Sequence, residues 1–257
     1  MAALAYLATL ARPRPRHLRR ERILLGDGAR TTLHVAAYDL ARTRVRAVRL
    51  PHPQPLAAWC RANGIEEAIV GGFFLRPDGT PLGELRTSGI ARPSVPFLEP
   101  WDRVRACVHV VGTHPRIARR DELPAAPAGD LLQAGPLLVR DGAPVRGDEE
   151  GFSAGAAQFD SDITDGRYPR AALALTGDGR LLAAACDGRA DDEAGMTLAE
   201  LAQTLVGFGA RQALNLDGGG STSLVCGGRL RNVAREAHGV PLVGGRPVST
   251  ALVFTPR

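Results

Sequence analysis

The sequence contains no lysine, and all 32 of its basic residues are arginine. No Schiff-base lysine and no lysine general base are available to it. A P-loop nucleotide site, which requires Gly-Lys-Ser/Thr, is excluded for the same reason. So complete a replacement reads as compositional bias, so the net charge of +5 gives little ground for a nucleic-acid partner, and none is expected. Arginine does retain bidentate recognition of phosphate. Cysteine is scarce: Cys60, Cys107, Cys186 and Cys226 lie far apart with no Cys-x-x-Cys pair. That spacing predicts free buried thiols rather than a zinc site. Aromatics make up only 5% of the chain, and no apolar stretch reaches the length of a membrane span. Met1 to Ala11 is apolar but has no basic residues ahead of it and runs into Arg12, Arg14 and Arg16. A secretory signal has the opposite order, so the expected location is cytoplasmic.

What is present describes a soluble globular protein: 44% hydrophobic and 23% charged residues, with 30 glycines and 19 prolines marking many turns. We expect residues 1–30 to form an arginine-rich tail and residues 31–257 a single domain. Thr31 to Leu50 reads as two strands, Pro55 opens a helix that stops at Asn63-Gly64, and Glu67 to Leu75 reads as a buried strand. Gly71 and Gly72 interrupt that strand, which implies a β-bulge or close approach of a ligand or another backbone. Trp101 to Val111 and Leu131 to Arg140 read as further strands. His109 and His114 have no third ligand spaced to complete a metal site. Asp160, Asp162 and Asp165 fall in a polar glycine-rich segment, Gly147 to Arg167. It lacks the glycine and terminal glutamate of a calcium loop, and a surface loop or flap is expected there. Arg170 to Thr176 and Arg180 to Cys186 form a hairpin around Gly177-Asp178-Gly179. This pairing brings Arg170, Asp187 and Arg189 to one end, where they serve a site or pair as surface ions. Met196 to Gly209 is the strongest helix, with Thr197 and Glu200 as a capping box. Arg246 to Phe254 closes the chain as a strand. The fold class expected is α+β, mostly antiparallel or mixed sheets with a few flanking helices.

One stretch combines every feature of a site: Ala213-Leu-Asn-Leu-Asp-Gly-Gly-Gly-Ser-Thr-Ser-Leu-Val225. Strand alternation sets Leu214 and Leu216 on one face, and Asn215 and Asp217 on the other. Gly218, Gly219 and Gly220 then expose a backbone that a ligand can approach closely, and the hydroxyls of Ser221 and Thr222 follow. The competing reading is a hairpin turn, for which Asp-Gly is an ordinary dipeptide.

This stretch, with Gly71-Gly-Phe-Phe74, Gly135-Pro-Leu-Leu-Val139, Tyr168-Pro-Arg170, Asp187-Gly-Arg189, Gly195 to Ala202 and Arg246-Pro-Val-Ser249, resembles the phosphodiester glycosidase domain family. That family comprises the uncovering enzyme, N-acetylglucosamine-1-phosphodiester α-N-acetylglucosaminidase, and its bacterial relatives. The stretches occur in the family's order from about residue 31 onward. Two positions depart from the pattern: Val70 stands where the family has asparagine before the glycines, and Tyr168 where it has histidine before Pro-Arg. The resemblance implies a mixed sheet assembly and hydrolysis of a sugar 1-phosphodiester at the anomeric carbon, with no cofactor. The substrate would be a small or polymeric sugar phosphate. Asp187 and Asp217 are the natural carboxylate pair for that chemistry. Arg170 and Arg189 would stabilise the departing phosphate. Gly218 to Gly220 would cradle it through backbone amides. Asn215, Gly71, Gly72, Ser221 and Thr222 complete the expected binding set. The alternative is a carbohydrate- or phosphate-binding domain of the same shape that has lost turnover through Val70.

Overall fold

A computed structural model describes residues 17–145 and 166–257. The expected aspartate loop (Asp160, Asp162, Asp165) and the first sixteen residues of the expected tail lie outside them. In chain order the elements are β1 (Leu18–Leu24), β2 (Arg30–Asp39), β3 (Thr43–Pro55), α1 (Leu56–Ala62), β4 (Ala68–Val70), β5 (Leu85–Thr87) and β6 (Ile90–Ala91). Next come α2 (Trp101–Val104), β7 (Ala106–Val111), β8 (His114–Arg119), β9 (Asp130–Gln133), β10 (Leu137–Arg140) and β11 (Ala143–Pro144). The remainder is β12 (Arg170–Thr176), β13 (Arg180–Cys186), α3 (Leu198–Gly207), β14 (Ala210–Asn215), β15 (Leu224–Cys226), β16 (Arg229–Leu230) and β17 (Pro247–Pro256).

The strands form three sheets. The first runs β1-β2-β13-β12-β14-β10-β11, the second β16-β15-β4-β17-β3 and the third β6-β5-β9-β7-β8, and each pairing within them is antiparallel. The first sheet is buried on both faces, as its alternation shows. Leu173, Leu181, Ala183 and Leu214 join the core shared with the other two sheets, beside Ile69, Leu132, Leu224 and Leu252. Ala172, Ala174, Leu182, Ala184 and Ala213 point the opposite way, onto Leu198, Leu201, Ala202 and Leu205 of α3. Thr197 and Glu200 cap that helix reciprocally, as their spacing predicted.

Four expectations need correction. The architecture is mostly β: α3 is the one helix above seven residues among those described, and sheets rather than helices cover most of the core. The expected tail contains β1, which pairs with β2 from Leu18↔Ala36 to Leu24↔Arg30. Its run of charged residues, Arg19 to Arg22, suits an edge strand, where one side of the backbone faces solvent. Trp101 to Val111 divides into a helical turn and β7, because Pro100 and Asp102 favour a helix start. Leu131 to Arg140 divides into β9 and β10, which belong to different sheets. Gly135-Pro136 makes that break: proline removes a ladder donor, and a Cβ on Gly135 would lie 2.8 Å from the Asn215 carbonyl oxygen. No helix among the described residues is long and apolar enough to cross a membrane.

Candidate active site

Asp217 stands where the chain passes from the first sheet to the second. Asn215 pairs with Ala172 at the end of β14, and Leu216 N–H donates to Ala171 O. Asp217 N–H then donates to Gly71 O, just beyond β4 of the second sheet. Gly219 to Ser221 make one 3-10 turn, and β15 follows in the second sheet. The Asp-Gly-Gly-Gly segment is thus a crossing between sheets, not a hairpin.

Each glycine of that crossing has its own steric cause. A Cβ on Gly218 would lie 2.9 Å from Pro169 O, and Gly219 has φ +59°. A Cβ on Gly220 would lie 2.6 Å from an Arg246 guanidinium nitrogen, and one on Gly219 would lie 3.2 Å from an Arg189 nitrogen. The bare loop therefore lets two guanidinium groups rest directly on its backbone. A cradle of three free amides, as the sequence suggested, does not form: Gly218 N–H donates to Asp217 Oδ1 at 2.9 Å and Gly219 N–H to Pro169 O at 2.8 Å.

Asp217 keeps partial solvent contact but is otherwise surrounded by protein, and this desolvation pushes its carboxyl up to about 6. Bonds from the Ser221 hydroxyl and Gly218 N–H, and the charges of Arg246 and Arg76, pull the other way without cancelling it. Arg246 is itself paired with Glu236, Nε to Oε1 at 3.1 Å. Arg189 has a left-handed backbone (φ +61°) and donates to Arg235 O at 3.0 Å. Strained conformations of this kind persist where surrounding structure holds them, often at functional sites. Arg189 and Arg170 both lie over the ring of Tyr168, at 5.6 and 5.3 Å from its centroid. Arg170 is buried, donates to Met196 O and Gly166 O, and is pulled down to about 10 by desolvation.

Asp187 does not pair with either neighbouring arginine. It is buried, with Oδ2 2.9 Å from His34 Nε2 and Oδ1 accepting from Val233 N–H at 2.6 Å. Its backbone is tied as well, accepting from Thr31 Oγ1 and donating to Thr32 O. Asp187 thereby anchors the turn that carries Arg189. The surface ion pair weighed from sequence fails because β2 covers this end of the hairpin and supplies His34.

Other expected contacts lie inside the protein. Gly71 N–H donates to Thr250 O and Gly72 N–H to Thr250 Oγ1; a Cβ on Gly71 would lie 2.4 Å from that hydroxyl. Of the readings left open for these glycines, close approach of another backbone is the one observed. Asn215 is buried with its amide nitrogen on Leu216 O, and Thr222 is fully buried. Val70 sits in the apolar core, also fully buried. Arg76, Arg246 and His34 were not singled out as site residues from the sequence. Arg246 begins a stretch that carried the resemblance, which was the available signal. His34 offered none, since only strand pairing brings it to Asp187.

Asp217 is thus one shielded carboxylate beside arginines at a sheet junction of a mostly-β domain. Residues 63–255 match the phosphodiester glycosidase family, and the chain belongs to that family. The fold is similar to that of a hypothetical protein from Synechocystis, with TM-score 0.65 and 20% identity over 93% of this chain and 62% of that one. This chain thus spans less than two thirds of the Synechocystis protein. It is also similar to the catalytic domain of zebrafish N-acetylglucosamine-1-phosphodiester α-N-acetylglucosaminidase, a structure auto-inhibited by its pro-peptide. There the TM-score is 0.70 at 20% identity, covering 93% of this chain and 82% of that one. A Burkholderia pseudomallei protein matches with TM-score 0.63 and 16% identity, covering 89% and 74%. At these identities the likeness shows the fold. No curated protein matches.

Proposed function

We propose that the protein hydrolyses the glycosidic bond of a sugar 1-phosphodiester, with an α-linked N-acetylglucosamine 1-phosphodiester as the first substrate class to try. The observation that carries this reading is Asp217, raised to about 6, beside the charges of Arg246 and Arg76 and next to a loop on which Arg189 also rests. Family membership supports it. The diester phosphate would sit against the guanidinium groups, which stabilise negative charge best where water is excluded. As the C1–O bond breaks, the leaving oxygen departs as a phosphate monoester that needs little protonation. Water or the carboxylate attacks C1; in the first case Asp217 takes the water's proton, in the second it forms a glycosyl ester that water then cleaves to regenerate the carboxylate. Both roles require ionised Asp217. Asp187 acts as a positioning residue through the Arg189 turn, and Arg170 through Tyr168.

The test is turnover of a sugar 1-phosphate p-nitrophenyl diester by the wild type, Asp217→Ala and Asp217→Asn. Wild-type hydrolysis should fall off below about pH 6, and kcat should drop by roughly 10²–10⁴-fold in either variant. Activity retained in both variants would remove Asp217 from the reaction. Binding of the diester by a wild type inactive across several sugars would establish the non-catalytic alternative.

A further inference from the structure

Away from the sheet junction, His17, Glu67 and Cys226 bring three metal-ligand atoms within 4.8 Å of one another, the one such cluster among the described residues. They come from just before β1, just before β4 and the end of β15. No spacing rule in the sequence connects them. His17 Nε2 lies 3.3 Å from Glu67 Oε2 and 3.3 Å from Cys226 Sγ. A tetrahedral zinc ion with bonds of about 2.0–2.3 Å places its ligands at about 3.3–3.8 Å from one another, so the nitrogen–oxygen separation matches and the nitrogen–sulfur one needs to open by a few tenths of an ångström.

We propose that this cluster is a binding site for a divalent transition metal of the zinc type, with His17 Nε2, Glu67 Oε2 and the Cys226 thiolate as ligands and solvent in the fourth position. One nitrogen, one oxygen and one sulfur donor suit zinc or cobalt better than magnesium or calcium, which prefer oxygen. Two anionic ligands balance the charge of the ion. The supporting shell is also present. Glu67 Oε2 accepts from the Tyr38 hydroxyl at 2.7 Å and Oε1 from Gly227 N–H at 2.8 Å, the kind of outer bonds that orient a ligating carboxylate. Burial opposes ionisation of Glu67, yet the bonds from His17, Tyr38 and Gly227 hold it below the ordinary range. A thiol ligates as the thiolate, so the ion must displace the Cys226 proton and affinity should rise with pH. His17 and Glu67 keep side-chain exposures of 37% and 18%, which leaves an entry route from solvent. Because β1 belongs to the first sheet and β4 and β15 to the second, the ion would tie the two sheets together.

The experiment is titration of the chelator-treated, dialysed full chain with Co²⁺ and then Zn²⁺, followed by absorption spectroscopy and thermal unfolding. One equivalent of Co²⁺ should produce thiolate-to-cobalt charge-transfer absorption and the intense visible bands of a tetrahedral ion, and Zn²⁺ should displace it. At a hundredfold excess over Kd, Tm should rise by roughly 5–10 °C. Cys226→Ser should abolish the charge-transfer band, and His17→Ala, at a half-exposed position, should weaken Co²⁺ binding roughly tenfold or more. Phosphodiester turnover by metal-free His17→Ala should equal that of the metal-free wild type. Failure of the wild type to bind either ion at micromolar concentration would overturn the proposal and leave the cluster as a hydrogen-bonded contact. A charge-transfer band that persists in Cys226→Ser would overturn it too.

Discussion

Asp217 shows how far burial alone sets the chemistry of one residue. Its carboxyl is raised from 3.8 to about 6, so the folded state binds the proton more tightly than the unfolded chain does. Between those values the native protein holds more protons, and stability falls as pH rises through the window. Asp217→Asn, which has no proton to lose, should therefore be more stable than the wild type at pH 8, by up to about 3 kcal/mol, with the difference gone near pH 4. Urea unfolding of both proteins at the two pH values measures this. A gain at pH 4 equal to that at pH 8 would mean that ionisation is not the cause. The same substitution lowers turnover by orders of magnitude in the proposed mechanism, a conflict between stability and function common at catalytic positions.

At the scale of elements, the site depends on strands that end in close backbone contact. Gly71 follows β4, accepts the Asp217 amide, and packs against Thr250 of β17. Gly71→Ala would place a methyl group 2.4 Å from Thr250 Oγ1 and 2.9 Å from its carbonyl carbon, and the backbone atom cannot rotate away. The expected cost is about 1–3 kcal/mol by urea unfolding, with turnover lowered as the Asp217 amide bond shifts. An unchanged midpoint would show that β4 and β17 separate more easily than their contacts suggest. The sequence left a β-bulge and a close approach both open at these glycines; only the fold identified the approach, by Thr250 of β17 at Gly71 and by Gln133 of β9 at Gly72.

At the scale of the molecule, the seven-stranded sheet is the shared wall of both cores. Leu173 lies in the core facing the other sheets and Leu201 in the core facing α3. Alternating residues of the same strands serve the two cores, so neither can be lost alone. Leu173→Ala and Leu201→Ala should each cost roughly 2–5 kcal/mol, and each variant should unfold in one transition with an unchanged m-value. Two separated transitions in Leu201→Ala would show instead that the helix layer unfolds on its own.

Much was legible in the sequence because its signals were local. Apolar and β-branched runs bounded by turn residues located most of the strands, Thr197 and Glu200 marked the start of α3, and the glycine run after Asp217 marked the candidate site. The absence of lysine excluded whole classes of chemistry. Elsewhere, pairing between distant segments decided the outcome. Leu131 to Arg140 has continuous strand character, yet the approach of Asn215 to Gly135 divides it between two sheets. Asp187 carries the same sequence signal as Asp217, but it is anchored by His34 and Val233 while Asp217 stands among arginines. His17, Glu67 and Cys226 meet only because three remote segments pack together. Alternation, caps and turns act through neighbours in the chain, so the sequence by itself determined the elements. Burial and charge act through neighbours in space, so only the tertiary structure decided which carboxylate is shielded beside arginines and which is tied into the fold.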